Sequence, residues 1–307
     1  MKKILILTVL MIVLSACGGK KSDNSFPNKP LELLMPWPAG GSSDTQARVL
    51  IQEAREAMGV PMVIVDRSGS GGIRGAMEGK NAKADGHTIL WASGGMFTLT
   101  PNLMEVGYSI EDFKPVLGAT LEHTLIVTSK DSGINSLDDL KDRGIVTYGS
   151  PGATSGPGKA LSLLMDSMGI EANHVPFAGT NQSSVAALGG HVDIADSKTA
   201  ILSSMPDLKI LAVLSKERTD LLPEVPTAYE LGYDVVLESY NGFYVPKDTP
   251  DEAVDVLEEG FKKMLNSDDF NDFVINSKIE KFGIEGDELK EKVISEYNMF
   301  KNLIEAE

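Results

Sequence analysis

Cysteine is almost absent from this chain of 307 residues, with Cys17 the single one. Without a second thiol there is no intramolecular disulfide and no cysteine metal cluster, so stability rests on a packed core. Histidine is scarce as well. His87, His123, His174 and His191 are scattered, and no H-E-x-x-H spacing puts two imidazoles on one helix face, which argues against a metal or catalytic role. Positive charge is short: 28 Lys and Arg stand against 44 Asp and Glu, for a formal charge of −16. Nucleic acid and anionic lipid surfaces are poor partners for such a chain, because little would neutralise their phosphates. Aromatic residues make up only 6%, which makes Trp37, inside a loop, stand out. Long apolar runs are missing too. The stretch 4–14 falls short of the roughly 20 residues that a spanning helix needs.

That stretch follows Lys2 and Lys3 and ends in Leu14-Ser15-Ala16-Cys17 before the chain turns polar, the order of a secretory signal peptide. Leu-Ser-Ala-Cys resembles the lipobox of bacterial lipoproteins, in which the cysteine sulfur receives a diacylglycerol and becomes the mature N-terminus. The resemblance implies that residues 1–16 are a signal peptide, that Cys17 carries the lipid, and that 17–29, rich in Gly, Lys, Ser and Asn, is a flexible tether. The protein would then sit outside the cytoplasm, anchored on the cell surface or periplasmic face.

A hydrophobic content of 42% fits a globular chain, and the remaining length exceeds what one core usually organises, so two domains are expected. Strands are expected at 31–35, 62–65 and 88–92, with helices running to about Met58 and over 73–82. Residues 116–128 read as strand. Ser136-Leu137-Asp138-Asp139-Leu140 reads as a serine-capped helix start, opening a second unit with strands at 145–148, 173–175, 192–195 and 209–214. A return strand at 240–245 precedes helices at 250–265, 268–276 and 287–305. Leu289, Val293, Ile294, Tyr297 and Phe300 recur at helical spacing and predict a core-facing stripe packed on the first unit. Alternating strands and helices of this kind predict an α/β fold with parallel sheets and crossover helices.

Two loops invite a chemical reading. Pro38-Ala39-Gly40-Gly41-Ser42-Ser43-Asp44 lies between a strand and a helix, where unpaired amides and the helix dipole favour an anion. An ordinary tight turn with a well-capped helix explains the same residues equally well. Gly149-Ser150-Pro151-Gly152-Ala153-Thr154-Ser155-Gly156 holds the same position in the second unit, and Thr154 and Ser155 add hydroxyls. A phosphate-binding P-loop fails here, since Ala153 replaces its first glycine and Ala160 its hydroxyl residue. The glycines of 68–72 lack the spacing of a dinucleotide fingerprint. No G-x-S-x-G elbow is present for a serine hydrolase. Trp37 fits either a ligand wall or an anchor beneath its loop.

Taken in order, these segments resemble the substrate-binding proteins of the tripartite tricarboxylate transporter family, the TctC or Bug receptors. The resemblance rests on Pro36-Trp37-Pro38-Ala39-Gly40-Gly41-Ser42-Ser43-Asp44, on Val65 to Gly75, and on Ala82-Lys83-Ala84-Asp85-Gly86-His87-Thr88-Ile89. It continues through Gly149-Ser150-Pro151-Gly152, His174-Val175-Pro176-Phe177-Ala178-Gly179-Thr180, Gly189-Gly190-His191-Val192-Asp193 and Leu222-Pro223-Glu224-Val225-Pro226-Thr227. Asp66, Phe177 and the segment Ala195-Asp196-Ser197 depart from the family pattern, the last near where its pocket is lined.

The resemblance implies a two-domain periplasmic-binding-protein fold of type II-like form, with a ligand cleft between the domains. Domain 1 would comprise 30–128 and 239–307, and domain 2 would comprise 129–238. The implied ligand is a small carboxylate. Trp37, Ala39, Gly40, Gly41, Ser42, Asp44 and Ser93 would face it from the first domain, and Ser150, Gly152, Thr154, Ser155, Gly179 and Thr180 from the second, with Asp196 as a selector. A monomer without cofactor or metal, delivering a di- or tricarboxylate to membrane permease subunits, is the expectation. A receptor docking on a sensor-kinase ectodomain is the alternative from another class, and an extracellular hydrolase is a weaker one.

Overall fold

The computed structural model describes residues 26–305 apart from Pro38, Gly41, Ala153, Thr154 and Ser203. Cys17, the signal peptide and most of the tether lie outside the described residues.

The first unit begins with β1 (Leu31–Met35), whose Leu31, Leu33, Leu34 and Met35 are all buried. Burial on both faces is what a central parallel strand requires. Helices α1 (Ser42–Gln52) and α2 (Ala54–Met58) follow. The sequence predicts one helix here. The structure splits it because the Glu53 amide bonds Leu50 at 3.1 Å, an i to i−3 step that tightens the turn between the two pieces. Gly59 then ends α2 in the left-handed region. Next come β2 (Met62–Asp66), α3 (Ile73–Lys80), β3 (Thr88–Ser93) and the short α4 (Thr100–Leu103).

Strand β4 (Phe113–Ser129) is 17 residues long and belongs to both units. The second unit contains β5 (Val146–Ser150), α5 (Gly156–Met168), β6 (Ala172–Pro176), α6 (Thr180–Leu188), β7 (Ile194–Lys198), α7 (Thr199–Leu202) and β8 (Leu208–Val213). The chain returns through β9 (Glu238–Pro246) and ends with α8 (Asp251–Leu265), α9 (Asp268–Ser277), β10 (Glu280–Lys281) and α10 (Gly286–Glu305). The expected serine cap at Ser136 is present, its Oγ accepting the Asp139 amide at 3.4 Å, but the element that it opens is short. Residues Asp138–Asp142 form a 3₁₀ turn, and the Asp139 carboxylate accepts the amides of Asn135 and Ser136 at 2.6 and 3.2 Å. An acid that can satisfy two preceding amides at once closes the turn from its own side.

From Phe113 to His123, β4 pairs with β9; from Thr124 onward it pairs with β7 and β8. Two lobes therefore share one continuous strand. The first lobe packs its sheet between two apolar layers, one built on α1, α2, α8 and α9 around Trp91, Phe243 and Phe261, the other around Phe97, Tyr240 and Tyr244. Leu289 and Val293 of α10 join the second layer, so the predicted stripe faces the core. The second lobe does the same with Leu161, Leu164 and Ile194 on one face and Ala186, Ala187 and Val213 on the other.

Strand directions then orient the lobes. In the first, β1, β2 and β3 are mutually parallel, and β3 runs against β9, which runs against β4, so β3 and β4 point the same way. Beyond Thr124, β4 runs against β7, and β7 is parallel to β5 and, through it, to β6. The carboxyl ends of both sets of parallel strands thus point at each other across the junction, the position where open α/β sheets bind ligands.

Candidate functional site

Each carboxyl-end loop is held by its own polar bracket. In the β1–α1 loop, Gly40 adopts φ +85 and donates its amide to Asp44 Oδ2 at 2.9 Å. Arg48 Nε donates to the same oxygen at 2.8 Å, and this hydrogen bond is the main cause holding the Asp44 carboxyl below its ordinary pKa. Asp44 is 3% exposed and its Oδ1 has no partner among the described residues. Ala39 and Gly40 are exposed at the tip, whereas Trp37 packs down against both apolar layers of the first lobe. A Cβ on Gly72 would lie 3.2 Å from its ring, so the indole supports the loop from beneath.

Under that loop lies a polar seam that the sequence did not single out. Trp91 Nε1 donates to Ser43 Oγ at 2.8 Å, Ser43 donates to Asn241 Oδ1 at 3.3 Å, and Asn241 and Thr120 donate to Gln46 Oε1 at 2.9 and 2.7 Å. It ties α1 to β3, β4 and β9. Ser43 therefore anchors its helix to the core. The available signal was Asn241, a polar residue between buried strand neighbours Tyr240 and Phe243.

In the β5–α5 loop, Ser155 is a true N-cap: its hydroxyl accepts the Gly158 amide at 3.1 Å and donates to the Gly152 carbonyl at 2.7 Å. Gly158 must be glycine, because a Cβ would sit 2.0 Å from the Gly152 carbonyl oxygen. Ser150 is fully buried and meets His174 Nε2 at 2.8 Å. In the β6–α6 loop, Gly179 precedes α6, and the hydroxyls of Thr180 and Ser183 donate to Asp196 Oδ2 and Oδ1, each at 2.5 Å. Asp196 is completely buried. Burial pushes its carboxyl above its ordinary pKa, against the pull of those hydroxyls.

The predicted site residues thus form clusters: Trp37, Ala39, Gly40 and Asp44 on the first lobe; Ser150, Gly152 and Ser155, and separately Gly179, Thr180 and Asp196, on the second. Ser93 ends β3 and shares an interlobe cavity of ≈ 180 Å³ with Gly156 and Pro157. Gly41, Thr154 and the Ser42 side chain lie outside the described residues.

The lining of that cavity disfavours an anion. Glu238 and Glu296 line it, with Lys292 bridging them at 2.7 and 2.9 Å, and burial raises the Glu296 pKa. Two carboxylates against one ammonium repel a further anion. A cation where the connecting strands cross is another residue missed by the sequence reading. Lys198, the last residue of β7, donates to Thr124 Oγ1 at 2.9 Å and Ser239 Oγ at 2.6 Å. Its signal was adjacency to the departure at Ala195-Asp196-Ser197. Among the described residues no cluster of three or more His, Cys, Asp or Glu is arranged to hold a metal ion.

Residues 46–307 match the model of the tripartite tricarboxylate transporter family receptor. A protein from Pseudomonas sp. (strain P51), described as a UPF0065 protein in the tcbD-tcbE intergenic region, is 31% identical over 282 residues, spanning 87% of this chain and 83% of its own. A TctC solute binding protein from Polaromonas, solved without ligand, superposes with a TM-score of 0.85 at 26% identity, covering 92% of this chain and all of that one. MatC from Rhodopseudomonas palustris, solved with bound malate, superposes at 0.70 with 22% identity, over 91% of this chain and 100% of its own.

Proposed function

The chain belongs to the tripartite tricarboxylate transporter receptor family, and from that premise we propose that it captures a small organic acid between its lobes and delivers it to the membrane subunits of such a transporter. The observation that carries this reading is topological. Two sets of parallel strands aim their carboxyl ends at one another, and the loops there end in helices whose first amides favour an anion. A carboxylate held from both sides links ligand binding to lobe closure about β4 and β9. We take residues 30–128 with 239–307 as one lobe and 129–238 as the other; the pairing of β4 changes a few residues before that boundary, between His123 and Thr124.

In this reading Ala39, Gly40, Ser42 and Asp44 approach the ligand from the first lobe, and Ser150, Gly152, Thr154, Ser155, Gly179 and Thr180 from the second. Thr180 gives its one hydroxyl proton to Asp196, so toward the ligand it offers its backbone amide at the start of α6. The lipid on Cys17 keeps the receptor at the membrane that houses its partner. No helix among the described residues is long and apolar enough to cross a membrane, so attachment in this scheme falls to the lipid.

Titration calorimetry with a panel of mono-, di- and tricarboxylates tests the ligand class. At least one member binds if the reading holds, and silence across the whole panel sinks it. For the anchor, Cys17→Ser releases the protein from the membrane fraction, whereas unchanged fractionation removes Cys17 from the scheme.

A further inference from the structure

Lys198 occupies an unusual setting for a lysine. It ends β7, one of the strands aimed at the opposing lobe, and its ammonium is wedged between the two strands that join the lobes. Thr124 is the first residue of β4 to pair in the second sheet, and Ser239 lies at the start of β9. Both partners are neutral hydroxyls, although the ammonium has three protons to donate. Among the described residues no carboxylate oxygen lies within ion-pair distance of it.

The surrounding charges explain why it stays unpaired. Asp196, two residues earlier, is turned toward α6 and occupied on both oxygens by Thr180 and Ser183. Glu122, on β4 opposite Ser239, acts on Lys198 only through space. Two other cations at the junction are already matched, Arg48 with Asp44 and Lys292 with Glu238 and Glu296. Desolvation lowers the Lys198 pKa, and Glu122 and Asp196 only partly oppose it. A half-buried ammonium bonded only to neutral hydroxyls gains from an arriving anion.

Resting on the function proposed above, we propose that Lys198 reads the second carboxylate of a small dicarboxylate whose first carboxylate is held by the loop amides and hydroxyls. The loops then define an anion site, and Lys198 makes it selective for a dianion. A neutral amide in place of the second carboxylate leaves the ammonium without its partner, which is how a buried polar group produces discrimination.

The test uses the mature chain, with malate and adipate as probes beside their monoamides, in titration calorimetry on wild type, Lys198→Gln and Lys198→Arg. Wild type is expected to favour a diacid over its monoamide by about tenfold or more, the size of a hydrogen bond to a charged group. Lys198→Gln is expected to bring that ratio close to one, and Lys198→Arg to retain most of it. A ratio preserved in Lys198→Gln, or equal weakening of both probes, overturns the proposal and leaves Lys198 as a strut between the crossing strands. If Lys198→Gln fails to fold by its melting profile, the wild-type ratio still decides, because no preference for the diacid contradicts the proposal outright. Should wild type bind tricarboxylates or monocarboxylates but neither diacid nor monoamide, this inference falls while the carboxylate reading stands. Failure of the full carboxylate panel removes both.

Discussion

In the first lobe, Asp44 takes the Gly40 amide and the Arg48 guanidinium on a single oxygen; in the second, Asp196 takes the hydroxyls of Thr180 and Ser183, one on each oxygen. Both carboxylates brace a loop at the carboxyl end of a parallel strand. Their electrostatics are opposed. Arg48 keeps Asp44 ionised down to low pH, whereas burial makes ionised Asp196 costly and only its hydroxyl partners offset that cost. One geometric job, fixing a loop at the end of a parallel strand, is thus done in one lobe by a buried carboxylate paired with a half-exposed guanidinium and in the other by neutral donors in a dry interior. The contrast also bears on the ligand. A negative charge beside Lys198 that is fully engaged elsewhere leaves the ammonium available, whereas an Asp196 aimed at Lys198 would have neutralised it.

The largest effect should come from attacking the second-lobe loop at its tightest point. Gly158→Val drives a side chain into the Gly152 carbonyl and should cost about 3 kcal/mol in denaturant melts, with loss of carboxylate binding. Tolerance of valine there would mean that the loop rearranges freely. Next, Asp44→Ala removes the acceptor of the Gly40 amide and should cost about 2 kcal/mol. Asp196→Asn sharpens the contrast: the amide oxygen accepts from Thr180, the amide NH2 donates to Ser183 Oγ, whose own proton has the Thr180 carbonyl as acceptor, and no charge is buried, so stability should stay within about 1 kcal/mol of wild type at neutral pH. A loss as large as that of Asp44→Ala would show the two brackets to be electrostatically alike.

The smallest effect is in the pH profile. Because the folded pKa of Asp44 is lowered, its contribution is present above the unfolded value and is lost as pH falls through the folded one. Asp196 has the reverse sign. Its raised folded pKa means that stability falls as pH rises from the unfolded value through the folded one. Asp196→Asn should therefore gain stability relative to wild type as pH rises through that window, and Asp44→Asn should lose its deficit as the medium is acidified. Parallel profiles for the two variants would contradict the contrast.

Much of the fold was legible because its signals are local. Buried strands such as Leu31–Met35 and the apolar spacing of Leu289 and Val293 need only the near sequence to declare themselves. The change of sheet inside β4 was not legible, since Phe113–Ser129 is continuous strand on both sides of His123 and only its partners change. For the site, the loops stood out by their glycines, but the seam joining Ser43, Gln46, Thr120 and Asn241 comes from four separate segments with no shared spacing. Lys198 was overlooked for a related reason. A lysine looks solvated in a sequence, and only the tertiary structure puts Thr124 and Ser239 at its end.

Capture between the lobes requires one anion to engage both of them at once. Hydrogen–deuterium exchange on the mature protein, with and without a saturating carboxylate from the calorimetric panel, measures this loop by loop. Protection is predicted together in 39–44, 150–158 and 177–183, on both sides of the junction. Protection confined to one lobe, or its absence in all three loops while the acid is bound, would contradict the account.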